Sequence, residues 1–293
     1  MIENWPEYRL FERRLQSYVE NVKLEKRLKK ALIYIISAGG KRIRPLIVLI
    51  SGKMCGAEYD ELMNLALAVE FVHTASLIHD DIIDLAEKRR SKTALHIKYD
   101  LPLALILGDW LISKSVELTS TYGEEIVREN SKVGMLMCEG EILDYYSSSH
   151  DFGEGEYFEC IDKKTAELLA YSAKTACRIA CNNYEMAEKL YEYGKNLGLA
   201  YQIVDDLLEY AKAIEDKSSS KTSKTLLHIY EEKLGRERAI SEAIKLVFKL
   251  SEKSRKSLEY FEDSEEKWKL SYILNYMTRS QLQKLDLSPK LSE

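Results

Sequence analysis

The sequence predicts an all-α fold, and three observations carry that prediction. Apolar residues recur at three- and four-residue spacing through nearly the whole chain, alternating stretches are few, and only four prolines occur in 293 residues. Helices are expected at 8–37, 45–55, 59–86, 93–120, 123–147, 157–181, 184–214, 225–252 and 256–283. Gly39-Gly40 closes the first, and Pro45 sits where the second begins. Gly56 separates the second from the third, and Pro102 likewise marks a helix start. Gly123 and the Gly153-Glu-Gly155 loop bound the fifth. A polar patch, Lys217-Ser-Ser-Ser-Lys-Thr-Ser-Lys224, follows the seventh and reads as a mobile loop whose lysines could close over phosphates. No linker rich in Pro, Gly or Ser and no repeat of solenoid length divides the chain, so residues 1–293 read as a single domain.

Composition narrows the function classes. A chain 45% hydrophobic and 31% charged can bury a sizeable core. The net charge of −5 argues against a nucleic-acid partner. No apolar run of about twenty residues is visible, so no membrane span is expected. Leu101 to Ile112, the greasiest stretch, is short and contains Asp109. The N-terminus lacks a basic start followed by an apolar block, and a cytoplasmic location is expected. Cys55, Cys138, Cys160, Cys177 and Cys181 are odd in number and scattered. Cys177 and Cys181 have helix-face spacing, so the thiols read as buried small hydrophobes.

Two acidic clusters stand out: Asp80-Asp81-Ile82-Ile83-Asp84 and Asp205-Asp206-Leu207-Leu208-Glu209. Leu77 and Ile78 precede the first, Ile203 and Val204 the second, so the carboxylates enter apolar surroundings. That placement is costly unless cations neutralise them. Both clusters are read near helix C-termini, where the macrodipole also disfavours anions. On a helix His73, Asp80 and Asp84 form one stripe, and Gln202, Asp205, Asp206 and Glu209 form another. Hard oxygen ligands on two facing helices suggest Mg²⁺ bridging to a phosphorylated substrate. Basic residues suited to phosphate lie at Lys41, Arg42 and Arg44, behind two glycines and before Pro45, at Arg89-Arg90, and at Lys163-Lys164-Thr165.

In family order, the chain carries Gly-Gly-Lys-Arg-Ile-Arg-Pro at 39–45, Glu70-Phe-Val-His73, Asp80 to Asp84, Arg89-Arg90, Gly108-Asp109, Lys164-Thr165-Ala166 and Gly198-Leu-Ala-Tyr-Gln202-Ile-Val-Asp205-Asp206. This ordered set resembles the trans-isoprenyl (polyprenyl) diphosphate synthase family. The resemblance implies a helical bundle of isoprenoid-synthase type around a central active-site cavity. It implies an enzyme that joins isopentenyl diphosphate to an allylic diphosphate by ionisation, condensation and proton loss. It assigns Asp80, Asp84 and Asp205 to a cluster of three Mg²⁺ ions on the allylic diphosphate. Arg89, Lys164, Thr165 and Gln202 would hold the same group, with Lys217 favoured over Lys221 and Lys224 as a further contact. Lys41, Arg44, His73 and Arg90 would hold isopentenyl diphosphate. A homodimer is implied by the family alone.

The chain departs from the family pattern at Glu209, Tyr201 and Ser91, where aspartate, phenylalanine and glycine are usual, and in the shortened segment after Tyr210. Product length should depend on residues below the first aspartates. Ala75 and Ser76 lie one turn back and are small, and Val72 and Val69 lie about 12 and 16 Å deeper than Asp80 along the helix. The open upper pocket points to a product of about twenty-five to thirty-five carbons, against a twenty-carbon alternative. A class I terpene cyclase would leave Lys41, Arg44, His73 and Arg90 without a task. A non-catalytic subunit of a heteromeric synthase would not need intact carboxylates at 80, 84, 205 and 206.

Overall fold

The computed structural model describes residues 2–148, 152–181, 183–216 and 223–283. Of the described residues 83% are helical, and the strands among them are one two-residue pair. Helix α1 (Pro6–Asn21) begins on a proline, whose missing N–H costs nothing in a first turn. Helix α2 (Lys26–Ile36) is separate from it, because the extended Glu25 turns its carboxylate onto the N–H groups of Arg27 and Leu28, at 2.7 and 3.2 Å. The single helix expected over 8–37 is thus two.

Helix α3 (Ile43–Met54) leads to α4 (Tyr59–Ile83), which Glu58 and Glu61 start with a reciprocal capping box. By length and composition α4 could cross a membrane, which the sequence reading overlooked. It packs as a core helix, with 72% of its most apolar stretch buried inside the protein. Next comes an unexpected hairpin, β1 (Lys88–Arg89) paired antiparallel with β2 (Lys92–Thr93). Its turn residues Arg90 and Ser91 have φ of 47° and 64°, as a tight two-residue hairpin requires. The helix expected over 93–120 is also divided. Tyr99 ends α5 (Leu95–Lys98), and Asp100 caps α6 (Leu101–Thr119) by accepting from Leu103 N at 2.7 Å.

After α7 (Glu124–Tyr145), the expected helix 157–181 starts earlier and changes pitch. It runs as α8 (Glu154–Ile161), a π-helical turn at Asp162–Ala166, and α9 (Glu167–Cys181). Helix α10 (Tyr184–Asp216) continues well past Asp205, so the macrodipole argument holds for the first acidic cluster only. Gly235, at φ 78°, separates α11 (Leu226–Leu234) from α12 (Arg236–Leu258), where one helix was expected. Ser264 caps α13 (Glu265–Met277), so residues 259–264 are not helical as expected, and α14 (Arg279–Leu282) is the last described helix.

Apolar burial falls into three contiguous clusters. One lies between α1, α2, α4, α6 and α9, a second between α3, α9, α10 and α13, and a third between α8, α10, α11 and α12. A buried ion pair, Lys269 Nζ to Glu7 Oε1 at 2.8 Å, ties α13 to α1, and Tyr59 Oη donates to the same oxygen at 2.7 Å. The cysteines depart from the sequence reading. Cys138 and Cys181 are exposed, and Cys55 lies against Cys177 and Cys181 although more than a hundred residues separate them in sequence.

Candidate active site

Glycines on two helices bring the carboxylates together with Lys164. A Cβ on Gly140 of α7 would stand 2.5 Å from Lys164 N, and one on Gly198 of α10 would stand 2.5 Å from Ala166 Cα. The π-helical turn is therefore wedged between backbones. Its extra residue lets consecutive side chains serve both neighbours. Lys164 reaches α7, with Nζ 2.6 Å from both Glu141 Oε2 and Asp144 Oδ2. Thr165 reaches α10, where its Oγ1 donates to Gln202 Oε1 at 2.8 Å. Gln202 Nε2 donates in turn to Asp206 Oδ1 at 3.0 Å, and Tyr157 Oη donates to Asp206 Oδ2 at 2.6 Å. Asp206 is buried inside this network, whereas Asp205 is partly exposed.

Asp80, at the end of α4, belongs to the same cluster. Burial pushes its carboxyl up to about 7, Lys164 opposes the shift and Glu141 adds to it. Although burial opposes it, the carboxylates of Asp144, Asp80 and Glu141 hold the Lys164 ammonium well above its usual range. Glu141 and Asp144 were missed in the sequence. Their signal was a third acidic group, Glu139-Gly-Glu141-Ile-Leu-Asp144, near the C-terminal end of a helix. Asp84 caps α4 and is exposed. Asp81 points the other way and is buried, and Arg89 donates to its Oδ1 through both Nε and a terminal nitrogen at 2.6 Å.

The cations form a second group. Arg42 is buried as an ion-paired strut, 2.6 Å from Glu12 and 2.5 Å from Glu70. Arg44 is held near Tyr201, Glu70 and Arg90, and its Nε is buried with no hydrogen-bond partner. Burial lowers the basicity of both Arg44 and Arg90, with a like charge beside each. Arg90 donates to Gly39 O, and Lys41 Nζ lies 5.2 Å above the Tyr276 ring. Burial, then Asp205, pushes the Tyr201 hydroxyl up to about 12, while Arg44 and Arg90 oppose the shift.

His73 lies among Arg44, Arg90, Arg89 and Arg42, and burial followed by these charges drives its pKa well below 6.5. The unfolded chain takes a proton at His73 near pH 6.5, whereas the native state does not. Stability from this residue is therefore present above about 6.5 and is lost as the pH falls further. His73→Gln is expected to flatten the acid limb of a plot of Tm against pH between about 7.5 and 5.5. Parallel curves for the two proteins would overturn this account.

The four residues named for product length differ in setting. Val69, Val72 and Ala75 are buried in the core around α4, while Ser76 is partly exposed and donates through Oγ to His73 O at 3.0 Å. Lys217 and Lys221 lie outside the described residues. Lys224 donates through its backbone N to Ser147 Oγ at 2.9 Å, and its Nζ pairs with Glu232 at 3.1 Å.

Known proteins share the sequence pattern and the overall fold. A family model described as polyprenyl synthetase matches residues 25–261. The chain belongs to the polyprenyl synthetase family. It is an enzyme of the prenyltransferase type. A geranylfarnesyl diphosphate synthase from Methanosarcina mazei is 40% identical over 97% of this chain and 96% of its own length. A geranylgeranyl diphosphate synthase from the same organism is 37% identical over 62% of this chain and 58% of its own. The crystal structure of a geranyltranstransferase from Methanosarcina mazei superposes with a TM-score of 0.84 at 38% identity, covering 96% of this chain and 100% of that one. The family's helical fold therefore holds for this chain.

Proposed function

We propose that this prenyltransferase condenses isopentenyl diphosphate with an allylic diphosphate and releases an all-trans polyprenyl diphosphate. One observation carries the reading: Tyr201 lies within electrostatic reach of the Asp205 and Glu209 carboxylates and of the Arg44 and Arg90 guanidinium groups. The carboxylates suit a cation-bridged leaving group and the guanidinium groups a bound diphosphate. Asp80, Asp84 and Asp205 would hold Mg²⁺. Their all-oxygen donor set fits it, and Asp80, crowded by Glu141, is a carboxyl that a divalent ion would relieve. When bound, Mg²⁺ supplies positive charge that stabilises the departing diphosphate.

The chain's own residues do the rest. Arg89, Lys164, Thr165 and Gln202 hold the allylic diphosphate, and Lys164 stays charged at any working pH. Lys41, Arg44, Arg90 and the neutral His73 hold isopentenyl diphosphate, so its double bond is aimed at the ionising carbon. The apolar residues around α4 exclude water from the allylic cation, which would otherwise be quenched to an alcohol. The departing diphosphate takes the proton. Residues 1–293 act as a single domain in this reading, in the cytoplasm. Leu105, Ile106 and Ile112 on α6 and Met135 and Ile142 on α7 are exposed apolar side chains, which supports a homodimer.

The small residues at 75 and 76 and the similarity to a geranylfarnesyl diphosphate synthase favour a product of twenty-five carbons, at the short end of the expected range. Purified chain would be incubated with Mg²⁺, isopentenyl diphosphate and labelled allylic primers, and the dephosphorylated products sized. A dominant farnesyl-length product would refute the open pocket. Turnover without consumption of isopentenyl diphosphate would indicate a cyclase, and an inactive single chain would indicate a subunit awaiting a partner. Ser76→Phe is expected to shorten the main product by at least one isoprene unit while preserving consumption of the primer. An unchanged product would remove Ser76 from the tail path.

A further inference from the structure

Three thiols converge far from the diphosphate site. Cys55 caps the C-terminus of α3, while Cys177 and Cys181 occupy the last turn of α9. Their sulfurs all lie within 4.8 Å of one another, and the Cys177 and Cys181 sulfurs are 3.8 Å apart. A tetrahedral centre with metal–sulfur bonds of about 2.3 Å has sulfur–sulfur edges of about 3.8 Å. One edge of the triangle already has that length, and side-chain rotation can shorten the others. The C-terminal ends of α3 and α9 meet at the thiols, so the helix dipoles do not stabilise free thiolates there, and a bound ion would itself have to supply the positive charge that deprotonates the three cysteines. Cys177 is buried and Cys181 is exposed, which leaves a path for an ion to enter and a fourth position open to water.

We propose that Cys55, Cys177 and Cys181 form a three-thiolate site for a soft divalent cation of the zinc group. Binding replaces three S–H bonds by three metal–sulfur bonds and releases three protons to solvent, leaving a centre of net charge −1. The ion links the ends of α3 and α9 about 16 Å along α3 from Arg44, so its role is structural. This assignment is independent of the prenyltransferase reading.

The test uses the full chain, reduced with a phosphine and stripped with a chelator, and titrated with Cd²⁺. The expected result is one tight equivalent per chain with a thiolate-to-cadmium charge-transfer band of three-sulfur amplitude. Cys55→Ser, Cys177→Ser and Cys181→Ser each lower that amplitude and weaken binding by at least about tenfold, whereas Cys138→Ser changes neither. Zn²⁺ is expected to raise the Tm of the parent chain but not of the Cys177→Ser variant, provided circular dichroism shows both folded. Absence of the band, or a band indifferent to Cys55→Ser, overturns the proposal. Cys181→Ser, on an exposed side chain, keeps the test decisive if a buried variant fails to fold.

Discussion

Asp80→Asn is expected to lower kcat by at least about 10³-fold, near 4 kcal/mol of transition-state stabilisation, with the helical fold intact. The substitution keeps the shape of the side chain and one oxygen but removes the charge that a Mg²⁺ ion would use. The loss should appear in kcat more than in the KM for isopentenyl diphosphate, because the arginine side of the site is untouched. Stability should move the other way. The Asp80 carboxyl is pushed up to about 7 by burial, so above that pH the native protein holds an ionised group in unfavourable surroundings. An amide removes that cost, and the Tm of the metal-free variant at pH 8 should equal or exceed that of the parent chain. Steady-state kinetics beside thermal melts make the comparison. Retention of more than about a tenth of the activity would sink the assignment of Asp80 to Mg²⁺.

Arg42→Leu is expected to destabilise the fold by about 3–5 kcal/mol and to lower Tm by on the order of 10 °C. Arg42 opens α3 in the left-handed region, at φ 50°, and is buried. Its guanidinium binds Glu12, Glu70 and the carbonyl oxygen of Ile36, the last at 3.2 Å. Removing it leaves the Glu70 carboxylate in the interior without its nearest counter-charge. The double variant Arg42→Leu with Glu70→Leu should recover part of the loss, since neither charge is then stranded. Recovery stays partial because Arg44 and Arg90 also draw on Glu70. Denaturant unfolding of the parent chain, both single variants and the double variant measures the coupling. A single-variant loss below about 1 kcal/mol would show that the strut is dispensable.

Much of this was legible in the sequence, for physical reasons that differ by element. The helices follow from apolar periodicity, and Asp80 and Asp205 from carboxylates set in apolar surroundings. The breaks were less visible. The extended Val22 ends one helix and Glu25 starts the next through its own carboxylate, with no glycine or proline nearby to announce the break. The Arg90-Ser91 turn takes positive φ without glycine, so the hairpin carries no turn signature. Glu141 and Asp144 escaped notice because their helix carries acids along its whole length, from Glu124 to Asp144, so these two look like part of a solvated face. Arg42 was read with the phosphate cations because its neighbours Lys41 and Arg44 share its charge, and only packing separates the strut from the site. The three thiols could not be joined from sequence, since α4 to α8 intervene between Cys55 and its partners.

The π-helical turn at Asp162–Ala166 makes the two walls of the site accountable to a single residue count. Deleting one residue there would restore an ordinary helix and rotate everything downstream by about 100° relative to α8. Lys164 could then keep its place beside Glu141 and Asp144, or Thr165 its place beside Gln202, but not both. An insertion elsewhere in a loop can be absorbed by slack. Here the length of the chain itself is the specification, and a designer grafting this site onto a straight helix would have to carry the surplus residue along with the side chains.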